Sequence, residues 1–405
     1  MQTHLADFIK DTPEGEEAER ILRACTHCGF CTATCPTYQL LGDELDGPRG
    51  RIYLIKQGLE GKPVTAKTRL HLDRCLTCRA CETTCPSGVR YGRLAEIGRG
   101  VVEARVPRPR PERVARRLLR AVLPYPSRFG PVFRTGQTLR PLLPPPLRRK
   151  VPRRRTSGPT PHDRHPRKVL ILEGCVQPAM APDINAATAR VLDRLGISVV
   201  AANGAGCCGA VSYHLTAHAE GLDFMRRNID AWWPHVESAA EAIVVTASAC
   251  AAMVKEYGEL LAHDRAYAGK AARISELARD VGEVLDGADT ALLRDGIDTS
   301  RRVAFHSPCT LQHAERLDGL VEGLLRRVGF SLTPVPDAHL CCGSAGTYSL
   351  LQPQLSQRLL HDKVKALHSG SPDVIATANI GCLAHLQSAT RAPVTHWVRL
   401  LDSEA

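Results

Sequence analysis

No run of eighteen or more uncharged apolar residues, the length a membrane-spanning helix needs, occurs anywhere in the 405 residues. The nearest approach, Ala242–Val254, is bounded by Glu241 and Lys255 and is too short to cross a bilayer. Any membrane contact is therefore expected to be peripheral. The first residues, Met1-Gln-Thr-His-Leu-Ala-Asp-Phe8, have neither a basic start nor an apolar stretch of the secretory kind. Sixteen cysteines in such a chain point to metal binding in a reducing, cytoplasmic setting rather than to disulfides. No phosphate-binding loop and no nucleophile triad is present, and no flavin, nicotinamide or substrate pocket is recognisable, so no catalytic residue is assigned. At 43% hydrophobic the chain can bury real cores, and its length suggests two or three domains.

What the chain does have is cysteine in a fixed rhythm. Cys25-Thr-His-Cys28-Gly-Phe-Cys31-Thr-Ala-Thr-Cys35-Pro36 has the spacing C-x2-C-x2-C-x3-C-P. The spacing returns as Cys75-Leu-Thr-Cys78-Arg-Ala-Cys81-Glu-Thr-Thr-Cys85-Pro86. This is the bacterial ferredoxin signature, in which thiolates hold [4Fe–4S] clusters and the fourth cysteine of each run ligates the other cluster. Two-residue gaps let one turn of chain point three thiols at a single centre. The expected ligand sets are thus Cys25, Cys28, Cys31 and Cys85 for the first cluster, and Cys75, Cys78, Cys81 and Cys35 for the second. Zinc ribbons also use C-x2-C, but as two separate knuckles, not as three cysteines in series with a fourth before proline.

The net charge of +11 is unevenly spread. Between Arg105 and Lys168 stand 19 Lys and Arg against Glu112 and Asp163, a net of +17 that leaves −6 for the rest. The same segment holds 14 of the 28 prolines. Residues 107–166 therefore read as a basic linker joining two mildly acidic bodies, a ferredoxin-type region over 1–106 and a second body from Arg167 onward. Before the linker, helices are expected leading into Cys25, over Arg51–Gly58 closed by the glycine, over Thr65–Asp73 and over Gly88–Val106. Within it, Pro111–Leu123 has the pattern of a basic amphipathic helix, with Val114, Leu118, Leu119 and Val122 on one face. That pattern suits an anionic lipid surface or an acidic partner, or a solvated tether that packs on its own domain. Few aromatics and no recognition motif argue against nucleic acid.

From Arg167 the texture alternates strand and helix. Strands are expected at Lys168–Glu173, Ile197–Ala201 and Ala242–Thr246, with helices at Asp183–Leu195 and Leu215–Val236. The pattern repeats with strands at Arg302–Phe305, Phe330–Val335 and Val374–Thr377, and a helix at Gln312–Val328. Cys175 to Cys207 spans 32 residues, as does Cys309 to Cys341. The repeat implies two duplicated βαβ-type lobes, 167–300 and 301–405, expected to face each other about a pseudo-twofold axis. Every lobe cysteine falls just past the carboxyl end of an expected strand, where open α/β sheets bind ligands. Cys175, Cys207, Cys208 and Cys250 should converge, and so should Cys309, Cys341, Cys342 and Cys382. Four thiols suit zinc or a further iron–sulfur centre, and the adjacent pair suits a redox dithiol. Buried cysteines acting as small hydrophobes are the alternative. Gly204-Ala-Gly206-Cys-Cys-Gly209 matches a dinucleotide fingerprint, but the second lobe has no counterpart and no acidic residue stands at the usual distance. Those glycines read as room for a sharp bend.

With these residues in place, the chain resembles the iron–sulfur subunits of bacterial glycolate oxidases (glycolate dehydrogenases). The resemblance is carried by Arg23–Leu40, by Gly47-Pro-Arg-Gly-Arg-Ile52, by Cys341-Cys-Gly-Ser-Ala-Gly-Thr-Tyr348 and by Thr377-Ala-Asn-Ile-Gly-Cys382. The linker matches poorly. More widely, the lobes are similar to the cysteine-rich CCG domains of heterodisulfide reductases and of lactate-utilisation and anaerobic glycerol-3-phosphate dehydrogenase subunits. That wider pattern ends in C-x2-C, where this chain has Met253 and His385, so five thiolates per lobe are not available. The resemblance implies an α+β multidomain protein: a mainly helical ferredoxin-type domain with two [4Fe–4S] clusters, then two pseudo-symmetric α/β CCG lobes. It implies a complex in which flavin (FAD) subunits oxidise glycolate to glyoxylate and this subunit passes electrons to membrane quinone, peripherally at the inner membrane. Lactate or glycerol 3-phosphate is the alternative substrate of such a complex, and a heterodisulfide-reductase-like thiol enzyme is the alternative of a different class.

Overall fold

The computed structural model describes residues 1–144, 148, 151–162 and 165–404. Positions 145–147, 149–150 and 163–164 of the expected linker lie outside the described residues. The chain forms two compact units: Met1–Arg117 with His339–Leu359, and Leu118–Ala338 with Leu360–Ala405.

The first unit is helical. Helix α1 spans Pro13–Ala24, α2 Phe30–Ala33, α3 Pro36–Leu41, α4 Pro48–Leu59, α5 Ala66–Asp73, α6 Ala80–Thr83 and α7 Tyr91–Arg105. Local chemistry sets the ends. Thr12 Oγ1 accepts from Gly15 N–H at 3.1 Å, Pro13 opens α1, and Glu14 and Glu16 sit in its first turn, where the helix dipole favours them. Leu22, Ile52, Ile55, Leu59, Leu72 and Leu94 form the core. Burying each such side chain contributes roughly 1.5–3 kcal/mol. Helices α4 and α7 approach so closely that a Cβ on Gly98 would lie 2.6 Å from Ile55.

Helix α4 starts three residues before the expected Arg51 and runs through Gly58. The left-handed residue that comes after it is Gly61, at φ +86°. Its start is fixed by the Gly-Pro-Arg-Gly-Arg stretch: Pro48 opens the helix, and a Cβ on Gly50 would meet Glu44 O at 2.2 Å. Gly88, expected to begin the next helix, instead turns the chain at φ +62° before α7.

The linker is more ordered than its prolines suggest. Helix α8 covers Arg110–Val122, and an unexpected α9 covers Pro126–Thr138 with Pro131 inside it. The apolar face expected for α8 is split, with Leu119 and Val122 half-buried. Val114 and Leu118 are exposed, while Arg108 before the helix and Arg116 within it turn to Asp73 at 2.7 and 3.2 Å. Arg120 pairs with Glu220 at 2.9 Å. Ion pairing of the arginines, rather than burial of the valine and leucine, orients this helix.

The second unit holds two parallel four-stranded sheets of identical order. Strands β1 (Arg167–Leu172), β2 (Ile197–Ala201), β3 (Ile243–Val245) and β4 (Ala278–Asp280) run β2-β1-β3-β4. Strands β5 (Arg302–His306), β6 (Ser331–Leu332), β7 (Val374–Thr377) and β8 (Val394–His396) run β6-β5-β7-β8. In the inner strands β1, β3, β5 and β7 nearly every residue is buried, as parallel sheets covered on both faces require. Leu170 of β1 lies opposite Val200 and Ile243. The edge strands β4 and β8 were not expected, being three residues each.

Two expected elements are shorter. Strand β6 is two residues rather than Phe330–Val335, because Pro334 and Pro336 cannot donate to a ladder. The helix expected over Gln312–Val328 is split into a π-turn at Thr310–Ala314 and a helix at Leu320–Val328. Arg316 and Gly319 between them are left-handed, and Leu317 and Leu320 are only half-buried. The ends of β3 and β7 meet: Ser248 N–H donates to Ala378 O at 3.1 Å, and His396 Nε2 lies 2.8 Å from Thr246 O. Among the described residues no helix is long and apolar enough to cross a membrane.

Candidate metal centres

The two ferredoxin-type runs fold alike, fifty positions apart. His27 and Gly29 in the first, and Thr77 and Arg79 in the second, all have φ between +53° and +91°. These left-handed residues curl each loop so that consecutive thiols turn inward. The third cysteine of each run, Cys31 or Cys81, lies in the short helix α2 or α6. Cys35 caps α3, and Pro36 and Pro86 come directly after the fourth cysteines.

Two cavities result. One is lined by Cys25, Cys28, Cys31 and Cys85, with Cys81 also reaching it. The other is lined by Cys35, Cys75, Cys78 and Cys81. The fourth cysteine of each run thus lies with the first three of the other. Neither wall carries a carboxylate, and each carries arginine: Arg49 at the first, Arg51 and Arg79 at the second. Four thiols, hydroxyls but no carboxylate among the described lining residues, and a cationic wall fit an anionic tetrathiolate iron–sulfur centre.

The thiols feel one another. Burial and the neighbouring Cys25 push Cys31 up to about 11. Burial, then Cys78 and Glu82, raise Cys81 well above its ordinary value. Crowded thiols that raise each other are relieved by a bound cation, which fits a metal-centred site. Cys28, exposed, is lowered chiefly by the Phe30 N–H. For Cys75, burial acts upward, but Arg51, Arg99, the Thr77 N–H at 3.3 Å and the Tyr91 hydroxyl at 3.6 Å outweigh it and hold the thiol low.

In the first lobe Cys175, Cys207, Cys208 and Cys250 form a chain of contacting sulfurs. Cys207 touches both Cys175 and Cys208, and Cys208 touches Cys250. Bonds from Cys175, Cys208 and the Gly209 N–H outweigh burial and hold Cys207 well below the ordinary thiol range. Gly209 has φ +91°, and a Cβ there would lie 2.7 Å from Gly221 O, so only glycine fits beside the pair. Sequence reasoning missed what holds this loop. Buried Asn228 accepts from Gly206 N–H at 2.9 Å and donates to Cys207 O at 2.8 Å, while Tyr257 donates to Cys208 O at 2.9 Å. Both residues lie in helices more than twenty positions away, where no local signal marks them.

In the second lobe, Cys341 and Cys342 are buried in the His339–Leu359 segment, with Gly343 N–H donating to Cys341 Sγ at 3.4 Å, as Gly209 does to Cys207. Gly343 is again left-handed, and its carbonyl accepts from Ser356 at 2.8 Å. Half-buried Cys309 precedes the π-turn, and buried Cys382 lies in the helix Ile380–Gln387. His306, three residues before Cys309, is fully enclosed and held neutral by burial, with no hydrogen-bond partner at Nε2 among the described residues. The first lobe has Leu172 at that position.

Residues 21–89 match the 4Fe–4S dicluster domain family, and residues 169–255 and 303–387 each match the cysteine-rich CCG domain family. Over 403 residues the chain is 59% identical to the glycolate oxidase iron–sulfur subunit of Escherichia coli K12, covering 99% of this chain and 98% of that one. The chain belongs to the glycolate oxidase iron–sulfur subunit family. A probable member from Bacillus subtilis is 29% identical over 411 residues, covering 94% of this chain and 90% of that protein. Lactate utilization protein A of Bacillus licheniformis is 30% identical over 224 residues, 54% of this chain and 90% of that one. In this member of the family, a helical dicluster region is joined to two parallel-sheet CCG lobes.

Proposed function

We propose that this chain is the electron-transfer subunit of a membrane-associated glycolate (2-hydroxyacid) dehydrogenase. The observation that carries the reading is the sorting of eight cysteines into two carboxylate-free cavities, in a chain 59% identical to a glycolate oxidase iron–sulfur subunit. Cys25, Cys28, Cys31 and Cys85 hold one [4Fe–4S] cluster, and Cys75, Cys78, Cys81 and Cys35 hold the other. Such clusters supply one-electron redox chemistry within a wide range of potentials. The chain's own part is to hold them and to set the electrostatics around them. Hydride removal from glycolate takes place at FAD on partner subunits, and the electrons leave toward membrane quinone. The lobe thiols Cys175, Cys207, Cys208 and Cys250, with Cys309, Cys341, Cys342 and Cys382, hold a further iron–sulfur centre or zinc.

Peripheral attachment at the cytoplasmic face of the inner membrane is supported by α8. Arg110, Arg113, Val114, Arg117 and Leu118 are among its exposed residues, and none of these three arginines has an ion-pair partner among the described residues. A row of free cations around aliphatic side chains suits an anionic lipid surface. Burial of Cys207 and Cys208 argues against the thiol-enzyme alternative, which needs an accessible thiolate.

The test is Cys78→Ser in the assembled complex. Flavin reduction by glycolate should persist while reduction of the acceptor is lost. Loss of flavin reduction in a correctly assembled mutant complex would overturn the division of labour.

A further inference from the structure

We infer that Arg51 sets the reduction potential of the second ferredoxin-type site, raising it enough for an enclosed centre to accept an electron. The inference rests on the reading that this site holds a cluster. Arg51 is the last arginine of the Gly-Pro-Arg-Gly-Arg stretch and is 1% exposed. It lines the same cavity as Cys35, Cys75, Cys78 and Cys81. Its Nε donates to His71 O at 2.7 Å and its Nη1 to Thr37 Oγ1 at 3.1 Å. Thr37 Oγ1 in turn lies 3.3 Å from Cys35 Sγ.

The charge on Arg51 is not cancelled. Asp46, its only carboxylate contact among the described residues, stands 3.4 Å from Nη2 and is shared with Arg74 at 2.7 Å. One negative charge thus faces two guanidiniums, and a net positive charge remains beside the second site. Arg99 and Arg49, by contrast, are neutralised. Arg99 pairs with Glu96 at 3.1 Å, and Arg49 at the first site makes two bonds to Glu44, at 2.6 and 3.0 Å.

Reduction adds one electron to the site, supplied by reduced flavin in the proposed complex and by dithionite in the test, and takes up no proton. The reduced state carries one more negative charge. Enclosure disfavours that charge, and a fixed cation in the wall favours it. Arg51 is therefore a positioning residue for charge, acting through the site rather than on substrate. Helix α4 holds it there: with its guanidinium bonded on three sides it has no room to swing to solvent.

The experiment uses the full chain with Arg51→Gln, Arg51→Lys and Asp46→Asn, prepared anaerobically, with iron counted and a dithionite titration followed by EPR. In R51Q one of the two one-electron steps should become at least tenfold less favourable, a fall of ~59 mV or more, while the other stays in place. R51K should retain most of the wild-type value. D46N, which removes the opposing negative charge, should move the same step upward. An unmoved step in iron-replete R51Q overturns the inference, as does a downward shift in D46N. If R51Q fails to retain iron, D46N decides: an upward shift supports the inference and none defeats it. A wild-type chain without iron would instead defeat the cluster reading, and the inference with it.

Discussion

The hydroxyl of Tyr348 donates to the main-chain carbonyl of Arg74 at 3.0 Å, across 274 positions of sequence. Arg74 is the residue before Cys75, and Tyr348 closes the stretch that begins with Cys341-Cys342. The CCG motif of the second lobe therefore sends a segment, His339–Leu359, into the unit that carries the ferredoxin-type cysteines. Arg358 makes a second tie, donating to Leu40 O at 3.0 Å. Burial, together with the nearby Cys75 and Cys341, holds the Tyr348 phenol well above its ordinary value, so it remains a donor at working pH.

Tyr348→Phe should therefore destabilise the first unit while leaving its packing intact. The ring is 7% exposed and stays in place, but the part-buried Arg74 carbonyl loses its donor, which costs about 0.5–1.5 kcal/mol. Denaturant unfolding of the anaerobic, iron-loaded chain measures this, with iron content expected to be unchanged. A variant as stable as wild type would show that the bond contributes nothing.

Membrane attachment through α8 makes a separate prediction. Replacing Arg110, Arg113 and Arg117 with Gln removes three exposed charges without touching Arg108, Arg116 or Arg120, which are ion-paired. At ~1 kcal/mol per basic residue near an anionic surface, binding to phosphatidylserine vesicles should fall by up to roughly a hundredfold. Wild-type binding should weaken between 0.1 and 1 M salt as the screening length shrinks from about 10 to about 3 Å. Binding that survives both neutralisation and salt would rule out this surface.

Much of the fold was legible in the sequence, because the cysteine spacings mark a dicluster region and a duplicated lobe. The C-x2-C-x2-C-x3-C-P runs, and the matched 32-residue intervals of the lobes, gave the helical dicluster region and the two parallel sheets. What stayed hidden depended on tertiary partners. The outward face of α8 is set by carboxylates far away in sequence, Asp73 and Glu220. Strands β4 and β8 exist only because β3 and β7 offer edges to pair with. Asn228 and Tyr257 carry no motif, and their role appears only when helix and loop are packed together.

Asp280 and His396 sit at equivalent places, at the ends of β4 and β8, and titrate in opposite senses. Burial raises Asp280 to about 7, and its Oδ2 has no hydrogen-bond partner among the described residues. Burial lowers His396 to about 4. Folded Asp280 keeps a proton that the unfolded chain releases near 3.8. Its contribution is therefore complete below that pH and is lost as pH rises through about 7. Folded His396 refuses a proton that the unfolded chain binds near 6.5, so its contribution is complete above that pH and is lost as pH falls through about 4. Between about 4 and 6.5 the two terms oppose each other and flatten the wild-type profile. Asp280→Asn keeps the cap to Gly282 N–H, at 2.8 Å in the wild type, and cannot ionise. Its stability relative to wild type should rise with pH between about 4 and 7, by at most ~1.4 kcal/mol per pH unit, and level off above. Urea unfolding at four pH values across that window measures the difference. A pH-independent difference would mean that Asp280 is already ionised in the folded protein, stabilised by the Lys255 ammonium that also pairs with Glu283 and Glu315 at 2.5 and 2.9 Å.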